Sequence, residues 1–383
     1  MSSRPSSEGP KRPARIVLAG AHGHGRQHLE NLRRLVGAGE VELAGVCDPI
    51  PLDALALDGL GTPDQAAELA TLLARTPADV VLIVTPIPTH ADLTVTAVHQ
   101  GAHLLLEKPP AATYADFERM VQAVAASGKR CQVGFQSLGS AAVPAIRQFV
   151  ADGLIGEVRG IGAAGAWERT ADYFRRASWS GHRKVGGVDV VDGALTNPFA
   201  HALATALSID GSEGPGDVGA VELELYHAFP IESDDTSCVR LRTAKGTVIT
   251  VAVSLCAPKR NEPYIIVHGT QGRITFVYTR DEVRLERAGH TTTLRYPRTD
   301  LLADLLAKRD TGEELLVPLH RTAAFMRVLE AVRTAPDPKS IPERALQMDD
   351  AHRVIPGIEG LVAASAERLA LYSELGVPWA GAA

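Results

Sequence analysis

Cysteine is scarce in this chain of 383 residues, and the four present (Cys47, Cys131, Cys238 and Cys256) form no Cys-x-x-Cys pair. That usage excludes a thiol-built zinc site or a disulfide framework and reads as free or buried thiols in a reducing compartment. There is no excess of basic charge: the formal net charge is -6 and the pI about 6.1. A general binder of nucleic acid needs a basic face, so nucleic acid is not an expected partner. No uninterrupted apolar run reaches about 18 residues, which excludes a membrane-spanning helix and a membrane partner. The start, "MSSRPSSEGPKRPAR", has no apolar stretch of the signal-peptide kind; residues 1–13 are expected to form a disordered tail, and the protein to be cytoplasmic.

What the chain does contain is ordinary globular composition, 45% hydrophobic and 22% charged, at a length that predicts two domains. In the first third, short apolar runs alternate with helical patterns. "RIVLAG", "VELAGVCDP", "ADVVLIVTP", "AHLLLEKPP" and "KRCQVGF" read as strands; "RQHLENLRRLV", "PDQAAELATLLAR", "THADLTVTAVHQG" and "TYADFERMVQAVAASG" read as helices. This order predicts an α/β fold whose N-terminal domain, residues 14–137, is a doubly wound parallel sheet of the Rossmann type.

Between the first strand and the first helix lies "AGAHGHGRQH" (Ala19 to His28), with three histidines and three glycines. His22-Gly23-His24 is a His-x-His arrangement able to grip zinc. Gly20 to Gly25 is also one residue away from the Gly-x-Gly-x-x-Gly phosphate turn, with His22 where the middle glycine belongs. The zinc reading needs an eight-stranded barrel and further ligands, and Thr85, His90 and Glu107 at later strand ends are a poor zinc set. The strand-to-helix setting, with unpaired N–H groups at a helix N-terminus, favours an anion. Asp48 ends the second strand 28 residues after Gly20, placed for an adenosine ribose. Gly20, His22, Gly23, His24, Gly25 and Asp48 are therefore candidate cofactor contacts, and no metal is expected.

"TPIPTHADLTVTAVHQGAHLLLEKPPA", "GLIGEVRGI" and "HGTQGRITF" carry a more specific signal. Together they resemble the Gfo/Idh/MocA oxidoreductases, a family that includes glucose-fructose oxidoreductase and inositol dehydrogenases, over nearly the whole chain beyond the tail. The resemblance implies that Lys108 is catalytic, that the Lys108–Pro109 peptide is cis, and that Thr85, Pro86, His90, Glu107 and Lys108 contact the cofactor. Independently, a lysine at a strand end facing the cofactor crevice is partly desolvated. Desolvation lowers an amine's pKa, and an ammonium there can stabilise an alkoxide.

Beyond residue 137 the pattern becomes β-rich: "AVELELYHAF", "TSCVRLRT", "GTVITVAVSL", "PYIIVHGT", "GRITFVYT" and "EVRLERA" predict a large, open, mostly antiparallel sheet. Residues 138–383 are expected to form an α+β domain that binds substrate and mediates a homodimer or homotetramer through that sheet. The C-terminal "ALQMDDAHRVIPGIEGLVAASAERLALYSELG" is helical in pattern and expected near the domain junction. The family carries a glycine pair and then Asp-x-x-x-His. Here "GGVDVVDGALT" places Thr196 where the histidine belongs, whereas "DGALTNPFAH" offers Asn197-x-x-x-His201, on a helix expected from Asn197 to Ser208 with both residues on one face. His201 then serves as general base and Asn197 orients substrate or imidazole, with Asp192 able to restore the missing carboxylate. Between these motifs, "WERTADYFRRASWSGHRK" suits a sugar bearing carboxylate or phosphate, with Tyr173, Arg176 and His182 as contacts. Gln136 ends the last strand where the family often has an arginine-containing stretch, so the substrate is expected to differ from the common sugars.

The expected function is hydride transfer between a nicotinamide and a secondary alcohol of a sugar, cyclitol or sugar acid. Asp48 favours NAD over NADP because it would repel a 2′-phosphate. Three other readings stay open: a glycosidase or lyase that uses bound NAD without net redox change, a cofactor-binding sensor without catalysis, and a zinc hydrolase.

Overall fold

A computed structural model describes residues 12–381, so most of the expected tail lies outside the described residues. Six short segments build the first sheet: β1 (Ala14–Ala19), β2 (Val41–Cys47), β3 (Asp64–Ala66), β4 (Val80–Ile83), β5 (His103–Leu106) and β6 (Cys131–Val133). Four helices connect them: α1 (Gly25–Gly37), α2 (Leu69–Arg75), α3 (His90–His99) and α4 (Tyr114–Ser127). Every pairing is parallel and the strand order is β3-β2-β1-β4-β5-β6. Helices cover both faces, which is why the central strands are near-continuous Val, Leu and Ile, buried throughout. The order reverses between β1 and β4, and a crevice opens there above the strands' carboxyl ends.

One expected helix is shorter than its pattern. In "PDQAAELATLLAR" residues 64–66 pair with the edge of β2, and only Leu69–Arg75 is helical. Pairing with the otherwise unpaired backbone of β2 outweighs the helical preference of Gln65 and Ala66.

The second sheet grows from β7 (Val158–Ala166), which follows α5 (Ala142–Ala151). After α6 (Ala171–Arg175), the hairpin β8 (Lys184–Val185) and β9 (Val188–Asp189), and α7 (Ala200–Asp210) come seven further strands. These are β10 (Val218–His227), β11 (Thr236–Thr243), β12 (Val248–Ser254), β13 (Tyr264–Gly269), β14 (Gly272–Val277), β15 (Glu282–Arg287) and β16 (His290–Arg295). Helices α8 (Leu301–Lys308) and α9 (Ala323–Thr334), strand β17 (Lys339–Ser340) and α10 (Ile358–Arg368) complete the framework. The nine-stranded order is β16-β15-β14-β13-β7-β12-β11-β10-β17; the sheet is mostly antiparallel, with parallel pairs at β7–β12 and β10–β17.

Strand β7, "VRGIGAAGA", is built of small residues because both its faces are covered closely. A Cβ on Gly162 would lie 1.9 Å from the Ala366 carbonyl of α10, and one on Gly165 would lie 2.3 Å from the Phe199 ring. Helix α10 therefore packs on the face of the second sheet, not at the domain junction, and it spans only Ile358–Arg368 of the longer helical pattern. Pro356-Gly357, with Gly357 at φ +77°, stops it from beginning earlier.

The junction is made by another segment. Residues 300–319 return to the open edge of the first sheet. Val133 N–H donates to the Val317 carbonyl (2.9 Å), Val317 N–H donates to Gln132 Oε1 (2.8 Å), and Gln132 Nε2 donates to Asp304 Oδ2 (2.8 Å). This covers an edge that would otherwise pair with another chain. Substituting Gly162→Ala should cost about 1–3 kcal/mol or more by overpacking β7 against α10, measured as a lower midpoint in urea denaturation with an unchanged slope.

Candidate active site

The loop after β1 is shaped by contact with the strand beneath it. A Cβ on Gly25 would sit 2.1 Å from the Gly20 carbonyl, so the first turn of α1 lies directly on the strand end. Gly23 has φ +58° and open space before it. His22, in the middle-glycine position, turns aside: its Nε2 is 3.0 Å from the Ile50 carbonyl and 3.8 Å from Asp48 Oδ1. Asp48 accepts from Ala21 N–H and Ile50 N–H, both at 2.9 Å, and so ties the loop to the end of β2. The N–H groups of His22, Gly23 and His24 make no hydrogen bond among the described residues. With the positive end of α1 behind them they form a cradle suited to phosphate.

At the end of β5 stand Glu107 and Lys108, and the Lys108–Pro109 peptide is cis. Glu107 is buried and faces two imidazoles: His28 Nε2 at 2.9 Å and His24 Nε2 at 3.6 Å from its Oε1. Burial works to raise its carboxyl, but hydrogen bonds and charge from the two histidines prevail and hold it well below the usual carboxylate range. Hydrogen bonding to Glu107 raises His24 in turn. Gln136 Nε2 also donates to Glu107 Oε1 (3.3 Å). His90 borders the same crevice with its imidazole turned to backbone. It is fully buried, with Nδ1 against the Pro109 and Pro110 carbonyls (3.1 and 3.2 Å) and Nε2 against the Thr85 carbonyl (2.9 Å). It braces the turn carrying Thr85 and Pro86 against the turn carrying Lys108, and both its nitrogens are occupied by backbone.

Lys108 reaches across to the second unit. Its Nζ donates to Asn197 Oδ1 (2.6 Å) and to the Asn197 carbonyl (2.9 Å). Asn197 Nδ2 donates to Asp192 Oδ1 (2.6 Å); Asp192 Oδ2 accepts from Gly181 N–H (2.9 Å) and Arg176 Nη2 (3.2 Å). Burial pushes the Lys108 amine below the ordinary lysine range, with Glu107 and Asp192 opposing the shift. Asn197 is not on the helix predicted to carry it. It lies in the turn before α7, and the helix starts at Ala200. Asp234 holds that turn, accepting at its carbonyl from Ala194 N–H (2.8 Å) and at Oδ2 from Leu195 N–H (3.2 Å).

His201 sits one residue into α7, with Nδ1 3.3 Å from Ser137 Oγ and its ring edge-on to Phe135 at 5.8 Å. Burial first, and the Lys108 charge second, push it down to about 3, so it is neutral at pH 7. Lys108, Asn197, His201, Gln136, Thr85, Pro86 and the phosphate loop line one cleft of about 1090 Å³. Its far wall is Trp167, Arg169, Tyr173, Arg176 and Trp179. The Arg176 guanidinium lies 3.8 Å from the Tyr173 ring centre, and that of Arg169 lies 4.8 Å from Tyr173 and 5.1 Å from Trp167. His182 does not join them: it turns toward Glu232, with Nδ1 3.3 Å from Oε2, away from this cleft.

Four site residues escaped the sequence reading: His28, Arg169, Trp167 and Trp179. His28 had a visible signal, its spacing of four from His24 where a helix begins. The other three lie in an irregular stretch whose pattern does not say which side chains face inward.

Residues 14–135 match the family described as an oxidoreductase family with an NAD-binding Rossmann fold, and residues 143–275 match the Gfo/Idh/MocA C-terminal domain. The chain belongs to the Gfo/Idh/MocA oxidoreductase family. Among its relatives, levoglucosan dehydrogenase of Pseudarthrobacter phenanthrenivorans is 28% identical over 57% of this chain and 61% of that enzyme. The chain thus spans about three fifths of the length of that relative. The dTDP-3,4-didehydro-2,6-dideoxy-alpha-D-glucose 3-reductase of Streptomyces violaceoruber is 29% identical over 69% of this chain and 70% of that protein. In fold, the chain is similar to the WlbA dehydrogenase of Bordetella pertussis, solved with NADH and UDP-GlcNAcA: TM-score 0.70, 20% identity, covering 88% of this chain and 99% of that one. No helix among the described residues is long and apolar enough to cross a membrane.

Two outcomes follow from this geometry. Asp192→Ala leaves the Asn197 amide and Arg176 without their shared partner and should cost on the order of 3 kcal/mol, read from chemical denaturation. His201 at about 3 and His103, held down to about 4 by burial and by Lys129, both take up protons more readily when unfolded. Stability should therefore be fully present above about pH 6.5 and fall as the pH drops toward 3. His201→Gln should flatten that slope in melting curves taken across the range.

Proposed function

We propose that the protein is an NAD-dependent dehydrogenase acting on a secondary alcohol of a sugar, cyclitol or sugar acid. The observation that carries this reading is the convergence of Lys108, Asn197 and His201 on one cleft together with a phosphate cradle. The cradle fits the pyrophosphate of a dinucleotide: three free N–H groups, a helix N-terminus, and no Cβ at Gly23. When bound, the nicotinamide supplies the acceptor for the hydride leaving the carbinol carbon. Asp48 supports NAD over NADP, since a carboxylate beside the ribose repels a 2′-phosphate.

The chain's own residues supply the proton chemistry. Two of the three N–H bonds of the Lys108 ammonium go to Asn197. The third remains for the substrate oxygen and stabilises the charge that develops on it. Neutral His201 takes the hydroxyl proton, with Nδ1 oriented by Ser137. Asn197 has no charge of its own but links Lys108 to the buried Asp192 carboxylate, so the negative charge sits one residue further away. The wall of Trp167, Tyr173 and Trp179 offers flat faces to a sugar ring. Arg169, whose Nε is buried without a hydrogen-bond partner, favours a substrate carrying an anionic group. Four buried free thiols fit a reducing cytoplasm. The open nine-stranded sheet supports a homodimer or homotetramer, checked by light scattering on eluting protein.

Titration with NADH and NADPH, followed by a screen of neutral sugars, cyclitols and sugar acids for NADH formation, tests the reading. Tight NADH binding, weaker NADPH binding and turnover of a polyol are expected; absence of nucleotide binding overturns it. Lys108→Met should lower kcat about 10²–10⁴-fold while NADH affinity changes little. In the wild type, kcat/KM should show no acid limb from His201 until about pH 3, and should fall on the alkaline side below the ordinary lysine range as Lys108 loses its proton.

A further inference from the structure

Three metal-capable side chains meet on the cleft floor, and the hydride-transfer reading gives none of them a chemical step. His24 and His28 are four residues apart where the loop enters α1, so their rings project from one side of the first turn. Glu107 arrives from the end of β5. His28 Nε2 lies 2.9 Å and His24 Nε2 3.6 Å from Glu107 Oε1, and one ligand atom from each residue lies within 4.8 Å of the other two. In a tetrahedral centre with metal–ligand bonds of about 2.0–2.2 Å, neighbouring ligand atoms are roughly 3.4 Å apart. The pocket is near that spacing before any ion enters it.

Sequence spacing suggested His22 and His24 as the pair, but the fold separates them: His22 Nε2 is spent on the Ile50 carbonyl. The converging pair is His24 and His28, an i, i+4 arrangement of the kind that holds zinc on one helical face. Two imidazoles and a carboxylate are a zinc-class donor set, not a magnesium one. Burial is one-sided as well. The Glu107 and His28 side chains are 8% and 11% exposed, while that of His24 is 59% exposed and borders the cleft. Three protein ligands with one open side is the arrangement of a reactive metal site, whereas structural sites close all four positions.

We propose that His24, His28 and Glu107 bind one divalent cation of the zinc class, with its fourth position open to an oxygen ligand in the cleft. The carboxylate supplies the negative charge that offsets the positive end of α1. The proposal goes beyond the dehydrogenase reading and does not depend on it, because it concerns binding alone.

The test uses the full chain, stripped with chelator and dialysed. Calorimetric titration with zinc chloride and separately with magnesium chloride is combined with mass-spectrometric counting of bound metal. One zinc per chain and no saturable magnesium binding are expected. His24→Ala should weaken zinc binding by roughly tenfold or more, while His22→Ala, on the same loop but facing away, should leave it unchanged. Cobalt(II) in place of zinc should give the intense visible bands of a four-coordinate site, lost in His24→Ala and in His28→Gln. Circular dichroism checks that each variant is folded, and the wild-type cobalt spectrum stands even if a variant is not. Substoichiometric zinc, equal affinity in His24→Ala, or the weak spectrum of hydrated cobalt would overturn the assignment.

Discussion

The hydrogen bonds from Lys108 to Asn197 are the contact on which the site depends. They cross from the end of a strand in one sheet to a turn preceding a helix of the other unit. A buried ammonium is costly without partners, and here the cost is offset by two oxygens of one residue. Asn197 can face Lys108 only because its other end is held by Asp192, which is held by Gly181 and Arg176. The site geometry is thus a chain of mutually satisfied polar groups, in which each side chain orients the next.

Two architectural devices keep that chain in register. The return of residues 300–319 to β6 fixes the edge of the first sheet to the second unit through Gln132 and Asp304. The small-residue strand β7 lets α10 and Phe199 approach from opposite faces, which seats the turn carrying Asn197 against the second sheet. Neither device contributes a side chain to the Lys108–Asn197–Asp192 chain. Both decide where the residues of that chain can stand, because packed interfaces at this density move as units.

Much of this was legible along the chain. The alternation of Val/Leu/Ile runs with helical periodicity carries the first sheet, since burial on both faces leaves strands little compositional choice. Glu107-Lys108-Pro109 could be singled out because it falls at a strand end that faces the crevice, and His201 because the resemblance to the family implies a histidine four residues after Asn197. The helix expected at Asn197 failed because the pattern of Ala and Leu cannot register the pull of Asp234, 37 residues ahead in sequence. His182 shows the same limit. A histidine's type says that it can bind a ligand, and only its neighbours say whether its nitrogens are already engaged.

The opening stretch divides the two contributions cleanly. By itself the sequence determined that "GAHGHG" joins a strand to a helix, and hence that unpaired N–H groups and a positive helix end lie there. These are local consequences of backbone geometry and need no distant partner. Which way each histidine turns was decided only by tertiary structure. His22 folds toward Ile50 and Asp48 beyond β2, whereas His24 and His28 face a carboxylate about eighty residues later, brought beside them because β1 and β5 flank β4 in the sheet. Side-chain direction follows the nearest satisfying charge, and that charge is supplied by chain order in space, not in sequence.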